Sequence, residues 1–198
     1  MVQTKFIMPS WDEVCSLAFD LSEKVRSAFS PDVVVGIARG GLVPARLLVD
    51  LLGVSTMLTV GVAFYKDIAR REKQPRITQA LPFHIAGRHL LVVDDVVDTG
   101  KSLELIVGEL KKAQHEVRTA TLYRKPWAEF NPDFYSKETD AWIIFPWERM
   151  ETLRKIAGSA LSSGKTLKDV EDQLVSAGME SSLAQSLVKQ VAREGLRL

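Results

Sequence analysis

Cysteine is almost missing from this sequence: Cys15 is the only one in 198 residues. An intramolecular disulfide is therefore excluded, as are a Cys-x-x-Cys redox pair and a thiolate zinc site, and a cytoplasmic location is expected. An excess of either charge is missing too. With 26 Lys and Arg against 25 Asp and Glu the net charge is +1, so no global field argues for nucleic acid, an anionic membrane or a strongly acidic partner. No apolar run approaches the roughly 20 residues needed to span a bilayer, and the N-terminus lacks a basic segment followed by a long apolar stretch. Neither a membrane span nor secretion is expected. His84, His89 and His115 show no metal or triad spacing and receive no role. No repeat or low-complexity segment occurs. What remains is 46% hydrophobic and 26% charged, as in one large globular domain or a domain with a small appendage.

The patterning predicts alternating strands and helices. Ser10-x-x-Glu13 reads as a capping box opening a helix over about residues 11–29, stopped by Pro31. Cys15 lies beside its apolar ladder Val14, Ala18, Leu21 and Val25 and is expected to pack there. "DVVVGIARGG" is apolar without alternation, the mark of a strand buried on both faces. Leu47, Leu48, Leu51 and Leu52 then mark a helix closed by Gly53, and "STMLTVGVAFY" a second strand. Residues 65–82 crowd basic side chains among two prolines with little periodicity and are expected to form a mobile loop. "HLLVVDD" resumes a buried strand, followed by a helix carrying Leu103, Ile106, Val107 and Leu110. "VRTATLYRK" and "DAWIIFPW" are two further strand candidates. The expected architecture is α/β, a mainly parallel sheet flanked by helices, over residues 1–150. Residues 151–198 read as a helical appendage. Thr166-x-x-Asp169 caps one short helix closed by Gly178, and Leu183, Leu187 and Val191 stripe another closed by Gly195.

"LLVVDDVVDTGKSLE", residues 90–104, contains the Gly-Lys-Ser of a P-loop but puts Asp95 where the first glycine of G-x-x-x-x-G-K-[ST] belongs. "GIARGG" fails the dinucleotide fingerprint as well, with Ala38 in place of its second glycine. In open α/β sheets ligands bind beyond the carboxyl ends of the strands, and the unusual residues gather there. The turn 98–102 has the backbone amides and the Thr99 and Ser102 hydroxyls to wrap one phosphate, with Gly100 allowing close approach. Asp94 and Asp95 just upstream would repel a polyphosphate but suit sugar hydroxyls and Mg²⁺. Phosphate, sugar diol and metal in sequence is the layout of a phosphoribosyl group.

"LLVVDDVVDTGKS" resembles the phosphoribosyl diphosphate (PRPP) signature of type I phosphoribosyltransferases. With "ARGGLVPARLL", "YRKPW" and "AWIIFPWE" the likeness extends to the xanthine-guanine and hypoxanthine phosphoribosyltransferase family over roughly residues 10–150. The resemblance implies that Asp94 and Asp95 hold the ribose hydroxyls and Mg²⁺, and that Asp98 is the catalytic base near purine N7. Thr99, Gly100, Lys101 and Ser102 would cradle the 5′-phosphate, and Arg39 and Gly40 the pyrophosphate. Tyr65, Lys66, Arg70, Arg71 and Lys73 would belong to a flexible hood, while Lys125 reads the purine 6-oxo group, Trp142 stacks on the base and Ile143 offers backbone contacts. Trp127 and Trp147 are expected to serve packing.

The implied reaction joins PRPP to a purine, hypoxanthine or guanine first and xanthine next, in a homodimer or higher homo-oligomer. Adenine stays open because the appendage departs from the short members of the family. A regulator of the same fold that senses PRPP and binds nucleic acid is the competing reading. The mixed charges of the appendage, Arg154, Lys155 and Lys168 among Glu151, Asp169 and Glu171, argue against it.

Overall fold

The computed structural model describes residues 5–66, 73–81, 85 and 89–195. They fall into two compact units, one within 14–140 and one joining the N-terminal segment through Glu13 to the chain from Ala141 onward.

The first unit is built on β2 (Val33–Ala38), which reads VVVGIA because both of its faces are covered. Ala45 of α2 (Leu42–Leu52) lies 3.0 Å from where a Cβ on Gly36 would stand, so α2 covers the face of Gly36 and Val34. Val33, Val35 and Ile37 point the other way, into a cluster with Leu103, Ile106, Val107 and Leu110 of α3 (Lys101–Lys112). Truncating any one of these buried leucines to alanine is expected to cost about 2–5 kcal/mol.

Around β2 stand β3 (Thr56–Lys66), β4 (Lys73–Gln79), β5 (His89–Val97), β6 (Glu116–Arg124) and β7 (Phe134–Glu138). The order is β4-β3-β2-β5-β6-β7, antiparallel only between β3 and β4. The chain builds outward from β2 to β4, returns to the middle at β5, and builds outward the other way. Its direction of growth therefore reverses between β2 and β5, which opens a crevice at their carboxyl ends.

Three expectations change here. The basic segment 65–82 is, in its described part, a hairpin: β3 runs on to Lys66, and β4 returns with Lys73 opposite Lys66 and Ile77 opposite Val62. As an edge strand β4 tolerates Pro75 and exposes Arg76, Thr78 and Gln79, so no apolar alternation develops in its sequence. Arg70 and Arg71 lie outside the described residues. The strand expected over "DAWIIFPW" shrinks to β8 (Trp142–Ile143), and the sixth strand of the main sheet is β7, a polar edge reading FYSKE. Cys15 is exposed, because on α1 (Trp11–Arg26) it stands about 100° around the axis from Val14 and off the buried ladder of Val14, Ala18, Leu21 and Val25.

The second unit pairs β1 (Phe6–Ile7) with β8 in parallel and packs α4 (Arg149–Ser162), α5 (Leu167–Ser176) and α6 (Ser181–Arg193) around Ile144, Leu153, Ala157, Val170, Leu174, Val188 and Val191. Most of α4 and all of α5 and α6 belong to the appendage drawn from residue 151. The capping box forms: Thr166 Oγ1 accepts the Asp169 N–H at 3.2 Å, and Asp169 Oδ2 accepts the Thr166 N–H at 2.6 Å. Ser10 and Glu13 do the same for α1, at 2.7 and 3.1 Å. Arg154 and Glu194 join α4 to the end of α6 through a two-pronged pair at 2.8 and 2.9 Å. Among the described residues no helix is long and apolar enough to cross a membrane.

Candidate active site

Two turns meet where the sheet reverses. After β2 the chain passes through Arg39, Gly40 and Gly41 into α2, with a cis peptide between Ala38 and Arg39. At the end of β5 stand Asp94 and Asp95. A Cβ on Gly40 would lie 2.3 Å from Oδ2 of Asp95, and one on Gly41 2.3 Å from the Val93 carbonyl oxygen. Only residues without a Cβ let the turns touch, which is why "RGG" stands there.

Asp94 Oδ1 accepts the Asp95 N–H at 3.0 Å, and Asp95 Oδ1 accepts the Val96 N–H at 2.8 Å. Burial first, and then the charge of Asp95, push the Asp94 carboxyl well above the usual carboxylate range. A carboxylate pair held this way gains from a cation or from hydroxyl donors beside it.

The turn that follows opens α3. Gly100 is its N-cap at φ +91°, a left-handed conformation, and no side chain caps the helix. Phe130 fills the place of a Cβ, which would meet it at 2.3 Å, so glycine is required on two counts. The Lys101 N–H reaches Thr99 Oγ1 only at 3.5 Å. A cavity of about 620 Å³ is lined by Asp94 and residues 96–103, with Phe64 and Glu129. This volume suits a ligand of nucleotide size, since small-molecule pockets span roughly 300–1,000 Å³. The opening turn of a helix brings partial positive charge and amide donors to that cavity.

A third segment is tied to these. The Lys125 N–H donates to the Val97 carbonyl at 2.9 Å, and the N–H groups of Glu129 and Phe130 both donate to the Thr99 carbonyl, at 3.1 and 3.4 Å. The turn after β6 is thus fastened to the turn after β5. Lys125 is 8% exposed. Burial draws its ammonium below the ordinary lysine range, with the charges of Asp98 and Asp140 acting against that. Its Nζ stands 5.4 Å from the centroid of the Trp127 ring, and the Trp127 indole N–H donates to Asp98 Oδ1 at 2.8 Å.

Asp94, Asp98, Thr99, Gly100, Lys101 and Ser102 therefore line one cavity, Arg39 and Gly40 lie on the turn against Asp95, and Lys125 joins through Trp127. Trp127 departs from its expected packing role: it is 53% exposed and bonded to Asp98. It sits in a turn, where no periodicity tells inward from outward. Phe64 and Glu129 line the cavity without having been expected to. Phe64 precedes Tyr65 at the end of an alternating strand, which is a weak signal, and Glu129 carried none. The backbones of Tyr65, Lys66 and Lys73 belong to the β3–β4 hairpin. Trp142 and Ile143 lie in the second unit, Trp142 opposite Phe6 and 48% exposed, Ile143 opposite Ile7 and buried. Trp147 packs as expected, its ring stacked 4.6 Å from Phe145 and 5.8 Å from Trp11.

The family model for the phosphoribosyl transferase domain matches residues 7–149. A xanthine-guanine phosphoribosyltransferase of Cereibacter sphaeroides is 35% identical over an alignment of 147 residues that covers 70% of this chain and 84% of that protein. Another from a Ruegeria species is 33% identical over an alignment of 151 residues that covers 70% and 83% of the two chains. Among solved structures, a purine phosphoribosyltransferase from Pyrococcus horikoshii superposes with a TM-score of 0.65 at 40% identity, over 72% of this chain and 93% of that one.

Proposed function

That the chain belongs to the phosphoribosyl transferase domain family is the premise from which we propose a purine phosphoribosyltransferase that favours 6-oxopurines, hypoxanthine and guanine before xanthine. The observation that carries this reading is the 620 Å³ cavity on which an uncapped helix start, Asp94 and Asp98 converge, with Asp95 buried next to Asp94. The amides of residues 100–102 and the hydroxyls of Thr99 and Ser102 receive the 5′-phosphate, and Arg39 with the Gly40 backbone receives the pyrophosphate. Asp94 and Asp95 bind the ribose hydroxyls.

The carboxylate pair also fits Mg²⁺, because burial has left Asp94 in need of positive charge. Among the described residues no three His, Cys, Asp or Glu side chains cluster as a protein cage, and Asp94 and Asp95 are the residues that would hold the ion. When bound, it neutralises charge on the departing pyrophosphate.

As the bond from ribose C1′ to pyrophosphate breaks, the purine nitrogen forms the new bond to C1′. Asp98 takes up the proton the purine sheds. Its carboxylate also faces the positive charge developing on the ribosyl ring, an interaction of about 4 kcal/mol at 4 Å and an effective dielectric of 20. Lys125 donates to the 6-oxo oxygen; by the family resemblance Trp142 would stack on the base and Ile143 would contact its edge. Tyr65, Lys66 and Lys73, on the β3–β4 hairpin, would belong to the hood over PRPP; Arg70 and Arg71 lie outside the described residues.

Incubation with PRPP, Mg²⁺ and each of five nucleobases tests the proposal. A 6-oxopurine should yield its nucleoside 5′-monophosphate, and excess chelator should stop turnover. Asp98→Asn should lower kcat by about 10²–10⁴. Lys125→Ala should reduce discrimination against adenine by about tenfold to a hundredfold, the range for a hydrogen bond to a charged group. Nucleotide formation from adenine alone would overturn the base assignment, and none from any base would overturn the activity.

A further inference from the structure

We propose that Trp127 is a positioning residue for base capture, holding the Asp98 carboxylate through its indole N–H and covering the Lys125 ammonium with its ring face. This rests on the reading that Asp98 and Lys125 handle the purine. Trp127 is bonded at 2.8 Å to the first and lies 5.4 Å from the second, so one side chain links the two groups. Asp98 is exposed on a turn, where a lone carboxylate rotates among several directions. A charge-assisted N–H···O⁻ bond on Oδ1 removes that freedom and leaves Oδ2 as the oxygen for substrate.

Lys125 has the complementary need. Its ammonium has lost much of its water, and the face of an indole is the best aromatic surface for a cation. Trp127 is itself presented from a fixed base. Lys125 N–H is bonded to the Val97 carbonyl and Ala128 N–H to the Lys125 carbonyl, at 2.9 and 3.1 Å, so the backbone on both sides of the tryptophan is held. Its 53% exposure also means that smaller residues fit without rearranging a core.

Two variants separate the two contacts. Trp127→Phe keeps an aromatic face and loses the donor; Trp127→Ala loses both. In the full-length enzyme, with equal melting temperatures as the control for folding, Trp127→Phe is expected to lower kcat about tenfold. Its purine KM and its preference for hypoxanthine over adenine should stay within about twofold. Trp127→Ala should show the same fall in kcat and also narrow that preference by about threefold or more. In an Asp98→Asn background, Trp127→Phe should have no further effect, since the acceptor's charge is already gone. Wild-type kcat in Trp127→Phe, or an undiminished loss in the Asp98→Asn background, overturns the inference. If Asp98→Asn reduces kcat while Trp127→Phe does not, this inference alone falls. A full-rate Asp98→Asn enzyme, or a wild type without transferase activity, removes the underlying reading and this inference with it.

Discussion

Helices begin differently in the two units. In the sheet unit, α2 and α3 start on Gly41 and Gly100, and no side chain caps either of them. In the helical unit α4 also starts without a side-chain cap, on Glu148, but α5 is opened by the Thr166–Asp169 box, and Glu180 accepts the Ser182 and Leu183 amides at the start of α6. Helix starts carry four amides without intrahelical partners, and a chain selected only for stability satisfies them with its own side chains. The two glycine starts follow β2 and β5, the strands between which the sheet reverses. In the packing helices α5 and α6 the amides are answered from within; at the start of α3 they are left open, as the proposed phosphate site requires.

Gly100→Ala should break this contrast most severely. A Cβ at φ +91° and 2.3 Å from Phe130 is expected to cost roughly 2–4 kcal/mol from backbone strain and overlap. It should also raise the KM for PRPP by about a hundredfold, through displaced amide donors. Denaturant melts and initial rates would measure both. Ser102→Asp would add a second acid to the first turn of α3, beside Glu104, stabilising the helix by about 0.3–1 kcal/mol. The same charge should repel the 5′-phosphate and raise the PRPP KM at least about tenfold, so a variant that melts higher yet binds PRPP more weakly is expected. In the other unit Thr166→Ala should cost about 1 kcal/mol with kcat unchanged; a fall in kcat would mean that the capped start of α5 takes part in turnover.

The smallest effect concerns pH. Asp169 is held below the usual carboxylate range by the Thr166 amide, Glu180 by Ser182, and Glu194 by Arg154. Because the folded values lie below the unfolded ones, the stability they add is complete above the unfolded range. It is lost as pH falls through the folded values, which lie below the ordinary carboxylate range. Circular dichroism melts between pH 7 and pH 3 should show the decline, and Thr166→Ala should flatten it.

How much of this was legible depended on burial. β2 and β5 carry near-continuous apolar runs because both their faces are covered, and α3 shows its spacing because one face is; all three read clearly. The edge strands β4 and β7 expose most of their side chains, and an exposed strand is under no pressure to alternate. Residues 98–102 were legible through chemistry, two acids and a glycine turn that no packing need explains. Trp127 was not, since whether a turn residue points to a carboxylate or to a core is decided by contacts with another segment, and Lys125 and Asp98 follow different strands, β6 and β5. Cys15 failed for a simpler reason, as one position along a helix separates the buried ladder from solvent.

One carbonyl ties the two ends of the cavity together. The Thr99 oxygen holds the amides of both Glu129 and Phe130, while the Thr99 hydroxyl and Gly100 belong to the turn that opens α3. If that turn holds phosphate as proposed, the ligand would restrain the backbone that leads back to Lys125 and Trp127. The two substrates would then be positively coupled through entropy, with no displacement needed, and by linkage the help would be mutual. Hydrogen exchange would register it as slower exchange of the Glu129 and Phe130 amides once PRPP is bound.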